Sequence, residues 1–237
     1  MATFVIVHGA WGGGWEWTPV AGLLRQRGHD VFTPTLTGLG ERTHLGRDIG
    51  LADHIADVTA VLEFEALRDV VLCGHSYGGM VVTGVADRAA DCIRQLVYLD
   101  ALVPTDGQAV LDLVPDEFAQ ELQRSAQGEP DQRMPLPQAL LPPHDLLPGD
   151  RVPAYVARLR PHPLGTFTEP VRLSGAGDAL PRAYVRCTGD PDDALMARFA
   201  ARAHAEGWQY RELSTYHDLQ LLDPEGTAAV LHELVGA

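Results

Sequence analysis

Apolar positions along the chain fall into two alternating patterns. Short strand-like runs, several of them rich in β-branched residues, recur at Phe4–Val7, Val31–Thr35, Val70–Cys73, Leu96–Leu99, Ala183–Cys187 and Tyr210–Leu213. Most are bounded by polar or turn-forming residues, as strands are. Between them, Ile55, Val58, Val61 and Leu62 form a stripe at helical spacing, and Met80, Val81, Gly84 and Val85 form another. Met196–Ala205 and Thr227–Leu234 also read as helices. Continuous rather than alternating apolar strands expect cover on both faces. The pattern therefore predicts an α/β fold, a mainly parallel sheet of about six strands flanked by helices.

The alternation breaks after residue 103. Twelve of the 17 prolines lie between Pro104 and Pro170. Such density removes backbone donors and bars long helices and central strands. A short helix such as Asp116–Gln127 still fits, and the Leu, Phe and Tyr residues between the prolines can pack. Residues 104–172 are expected to form a partly helical lid within one domain, its core being residues 1–103 and 173–237.

Composition narrows the function. The 237-residue chain is 46% hydrophobic and carries a net charge of −14, from 18 basic and 32 acidic residues. A surplus of negative charge opposes binding to nucleic acid or anionic membranes. No apolar run is long enough to span a bilayer, and the N-terminus lacks the features of a signal peptide. The three cysteines, Cys73, Cys92 and Cys187, are odd in number and widely spaced, so neither a disulfide framework nor a metal site is expected. A cytoplasmic protein is the expectation.

The segment Val70–Met80 carries the sharpest chemical signal. Gly74, Ser76 and Gly78 form G-x-S-x-G between an apolar strand and a helical stripe. In that context the serine sits on a tight strand-to-helix turn that lifts its hydroxyl above the sheet. A serine hydroxyl needs a base. Of the late histidines, His204 and His232 fall in helical segments facing solvent, whereas His217 follows the last strand, where open α/β sheets gather ligand chemistry. The acid that orients the base is Asp100, at the end of the Leu96–Leu99 strand, or Asp190, after the Ala183–Cys187 strand. Asp192 is a further alternative, and Asp192 or Asp193 could equally cap the next helix. The oxyanion donors are expected to be the N–H groups of Tyr77 and Ala10, with Trp11 a possible contributor. Trp11 and His75 are candidate substrate contacts, and Tyr77, Phe118, Leu140 and Leu141 are further possible liners. His44 is ambiguous. The Gly-rich stretch after His8 lacks the Lys-Ser/Thr of a phosphate loop.

These segments, with Phe4–Trp11, Thr33–Arg42, Leu96–Ala101 and His217-Asp218, resemble the α/β-hydrolase superfamily. The likeness is to small esterases such as plant methyl esterases, hydroxynitrile lyases and bacterial pyrethroid-hydrolase-like esterases. It spans nearly the whole chain. The resemblance implies a serine–histidine–acid triad without cofactor, and a lid inserted after the sixth strand of the full fold. In plant-type members the acid's spacing from the histidine falls here on Gly189, one residue before Asp190. Other members, such as haloalkane dehalogenases, take the acid from a strand end similar to Tyr98–Ala101, which favours Asp100. Hydroxynitrile lyases carry a threonine and a lysine where this chain has Gly9 and Asp218, so cyanohydrin cleavage is disfavoured. Dehalogenases and epoxide hydrolases use an aspartate nucleophile where this chain has Ser76. The expectation is a serine hydrolase acting on small or medium apolar carboxylic esters, with a small-molecule ester as its partner. Thioester, lactone or other acyl-transfer chemistry, and a non-hydrolytic receptor, are the alternatives.

Overall fold

A computed structural model describes residues 1–141, 151–190 and 193–236. In chain order its elements are β1 (Thr3–Val7), α1 (Thr18–Gln26), β2 (Asp30–Phe32), α2 (Leu51–Phe64), β3 (Val70–His75), α3 (Gly78–Arg88) and β4 (Ile93–Leu99). There follow α4 (Asp116–Ser125), β5 (Arg133–Met134), α5 (Arg151–Val156), β6 (His162–Pro163), α6 (Gly165–Thr168), β7 (Arg182–Cys187), α7 (Ala194–Ala205), β8 (Gln209–Leu213), α8 (Leu219–Leu222) and α9 (Pro224–Gly236). Six strands form one sheet in the order β2-β1-β3-β4-β7-β8, and every pair in it is parallel.

The strand sequences explain why both faces are covered. Alternate residues of β1 and β3, such as Val5 and Leu72, enter a core with Ile55 and Val58 of α2, Val81 and Val85 of α3 and Phe199 of α7. Their neighbours Phe4, Ile6, Val71 and Cys73 enter a second core with Val20 and Leu24 of α1 and Leu231 and Leu234 of α9. A side chain of either parity therefore has to be apolar. β2 is shorter than the run Val31–Thr35 predicts. It is the edge strand, and Pro34 has no N–H to extend the ladder. Asp116–Gln127 is helical through Ser125.

The chain between β4 and β7 holds α4, a small antiparallel ladder of β5 with β6, α5 and α6. Among the described residues no helix is long and apolar enough to cross a membrane. The cysteines Cys73, Cys92 and Cys187 are free and buried.

Buried histidines tie the loops above the sheet. The His8 Nδ1–H donates to the Gly9 carbonyl at 2.7 Å, and its Nε2 accepts from the Leu36 N–H at 3.1 Å. The His54 Nε2–H donates to the Thr37 carbonyl, and its Nδ1 accepts from the Tyr77 hydroxyl, both at 2.9 Å. Burial pushes each ring down to about 4. Below 6.5 the unfolded chain takes up these protons and the fold does not. Stability therefore falls as pH drops from about 6.5 to about 4, by roughly 3 kcal/mol for each ring. Denaturant midpoints recorded across that window should decline steadily with acid; a flat profile would show that the rings charge inside the fold.

Candidate active site

The turn at Ser76 follows from the tight crossing of β3 into α3. Ser76 has φ of 53°, a left-handed conformation that only surrounding constraints hold for a serine. Its N–H donates to the Leu99 carbonyl at 3.3 Å, and its own carbonyl accepts from Gly79 and Leu102, each at 3.1 Å. Gly74 and Gly78 permit the crossing: a Cβ on Gly74 would lie 2.6 Å from the Gly78 carbonyl, and one on Gly78 would lie 2.7 Å from the Val7 carbonyl.

Asp100 sits at the end of β4, fully buried, also with positive φ (44°). Its N–H donates to the Val185 carbonyl of β7 at 2.8 Å. The carboxylate is filled on both oxygens. Oδ1 accepts from Arg186 Nη1 at 2.7 Å and from the Cys187 N–H at 3.1 Å, and Oδ2 accepts from His217 Nδ1 at 2.8 Å. Burial alone would raise the Asp100 carboxyl, but the His217 and Arg186 partners outweigh it and hold it below the ordinary carboxylate range. Burial would lower His217, yet its bond to Asp100 and the carboxylate charge raise it. With Nδ1 carrying the proton given to Asp100, Nε2 is left with a lone pair. The His217 side chain remains 37% exposed toward the cavity.

That cavity has a volume of about 390 Å³ and is bordered by Ser76, Asp100 and His217 together. Ala10, Trp11, His75, Tyr77, Phe118, Leu140 and Leu141 line it too, so all the expected liners reach one space. Asp190 and Asp193 also border it, and Asp193 caps α7 and pairs with Arg186 at 3.2 Å. Asp192 lies outside the described residues. His44 is exposed and away from this wall, as are His204 and His232. Among the described residues no three or more His, Cys, Asp or Glu side chains converge as a metal site.

Among the described residues no acceptor is paired with the N–H of Ala10 or of Tyr77. Trp11 differs from the expectation of a donor. Its backbone has φ of 62°, and its N–H is given to His162 Nδ1 at 3.1 Å. Its carbonyl accepts from the Arg160 N–H at 2.9 Å, and its indole N–H donates to the Met134 carbonyl at 2.9 Å. His75 borders the cavity with its ring buried, and its Nε2–H donates to the His217 carbonyl at 2.9 Å. It holds the loop that carries His217 at that point. Arg186, His162 and His54 were not singled out from sequence. Only Arg186 carried a signal, a charge within the apolar run Ala183–Cys187.

A sequence profile of the alpha/beta hydrolase family matches residues 4–230. The carbendazim hydrolyzing esterase of a Nocardioides species is 41% identical over 99% of this chain and 100% of its own length. An extracellular alpha/beta-hydrolase from a Paenibacillus species superposes with a TM-score of 0.87 at 24% identity, covering 98% of each chain. A methylesterase from Arabidopsis superposes with a TM-score of 0.78 at 23% identity, over 100% of this chain and 99% of its own. With a positive-φ serine at the end of β3 and a carboxylate–histidine pair sharing its cavity, the chain belongs to the alpha/beta hydrolase family.

Proposed function

We propose that the protein is a serine hydrolase that cleaves small to medium, largely apolar carboxylic esters. The observation that carries this reading is the opening of one cavity onto Ser76 and onto the Asp100–His217 pair. In the reaction, His217 Nε2 takes the Ser76 proton while Oγ attacks the ester carbonyl. The free N–H groups of Tyr77 and Ala10 receive the oxyanion. His217 then protonates the leaving alcohol and activates water to release the acid from the acyl-serine. The relative named for hydrolysing carbendazim, identical at 41% of positions, supports ester cleavage and makes carbendazim a substrate to assay.

A fluorophosphonate should add to Ser76, and p-nitrophenyl butyrate should be turned over. Neither should occur in S76A. Asp100→Asn should lower kcat by roughly 10³–10⁴ through the wrong histidine tautomer, while Asp190→Asn should leave the rate within the same order of magnitude. Equal losses in the two variants would reject Asp100 as the acid.

The cavity wall also sets a charge preference. Its acidic liners are Glu16, Asp100, Asp190, Asp193 and Asp218, and among the described residues no arginine or lysine joins them. A neutral butyrate ester should therefore exceed the matching hemisuccinate monoester in kcat/KM by roughly tenfold or more at low salt, the gap narrowing as salt screens it. Equal values for the two esters would contradict this.

A further inference from the structure

Three side chains at one end of the cavity are not used by the ester chemistry. Glu16 comes from the turn after β1, Asp218 directly follows His217, and Tyr155 comes from α5 between β4 and β7. The Tyr155 hydroxyl is hydrogen-bonded with Glu16 Oε1 and stands 3.2 Å from Asp218 Oδ1. Glu16 Oε2 accepts from the Gly13 N–H at 2.9 Å. Gly12 leaves room for this carboxyl, since a Cβ there would lie 1.7 Å from Oε2. Among the described residues neither acid is within ion-pair distance of an arginine.

The contacts can be counted in protons. An ionised carboxylate only accepts, and a phenol has one proton to give. Tyr155 can therefore serve both acids at once only when one of them is protonated and donates to the phenol oxygen. We propose that Glu16 holds this proton, and that its loss turns the Tyr155 hydroxyl from Asp218 to Glu16, untying α5 from the loop that carries His217. In the protonated state Glu16 donates to Tyr155, and Tyr155 donates to Asp218. In the deprotonated state Tyr155 donates to Glu16, and Asp218 loses its tie to α5. No covalent bond changes; one proton leaves to solvent.

The groups facing this site agree. Tyr155 and Arg158 face Glu16 from α5 and the turn after it, Asp218 faces it from the histidine loop, and Asp218 faces His217 and Gln220. Gln220 Nε2 lies 3.4 Å from the Tyr155 oxygen. The Arg158 guanidinium is stacked 3.7 Å from the Trp15 ring. Burial raises Glu16 to about 7, more than its partners lower it. Burial also raises Asp218, but Asp218 is only half-buried whereas Glu16 is buried. Tyr155 is thus a positioning residue, and the switch would regulate the proposed hydrolysis, resting on that reading for its biological use.

The test needs no substrate. Infrared difference spectra should show a carboxylic-acid C=O band that vanishes as pH rises through about 7 and is missing from E16Q at every pH. The side-chain amide of the E16Q variant can accept from the Gly13 N–H and donate to Tyr155, so E16Q keeps Tyr155 on Asp218. Amide exchange of residues 152–159, corrected for intrinsic rates, should rise roughly tenfold in the wild type across that range, as loss of one buried charge-assisted bond allows. It should stay flat in E16Q and be high throughout in Y155F, with folding checked by thermal melts. Where ester turnover is present, kcat/KM of the wild type should fall as pH rises through about 7 and that of E16Q should not, while both keep the acid limb set by His217. A band unaffected by E16Q, or the same rise in exchange in both proteins, overturns the switch whether or not esters are cleaved.

Discussion

Everything above the sheet is referenced to one buried charge. Asp100 ends β4 with no exposed surface, and its carboxylate is satisfied by Arg186, the Cys187 N–H and His217. Two of these donors come from the adjacent strand β7, so the ladder between β4 and β7 fixes where the acid points. Removing one member of such a group leaves an uncompensated buried charge, at a cost of about 3–5 kcal/mol. The arrangement ties histidine orientation to core integrity, because Arg186 also clamps Asp193 at the start of α7.

The chain between β4 and β7 does more than cover the cavity. Met134, Arg160 and His162 bind the indole, carbonyl and N–H of Trp11, next to Ala10, whose N–H has no partner among the described residues. Tyr155 reaches the opposite side, toward the residue after His217. The loop that carries Ala10 and Trp11 and the loop that carries His217 are thus both held from one segment. His75 and Asp100 hold His217 from the core side.

The legible parts of the sequence were those whose physics is local. A strand buried on both faces has to be apolar throughout, so β1 and β3 showed as continuous runs; β8 lies at the sheet edge, is partly exposed and carries Arg211 and Glu212. Ser76 stood out because the turn itself demands glycine at Gly74 and Gly78, and His217 because it lies in the loop that follows the last strand of the sheet. The choice between Asp100 and Asp190 was not local. Each follows the end of one of two neighbouring parallel strands, and only spatial register decides which carboxylate meets an imidazole. Trp11 shows the same limit, since its expected N–H is taken by a histidine 151 residues away. Glu16 and Tyr155, 139 residues apart, left no trace because no periodicity links them.

The triple hold on Trp11 has an evolutionary consequence. An insertion that merely roofed a pocket could be exchanged between relatives to change substrate range and leave catalysis intact. Here the exchanged piece would carry away the partners of a peptide unit held at positive φ. New specificities are therefore reached more readily by point changes at wall residues such as Phe118, Leu136 and Leu159 than by recombining the insertion as a block.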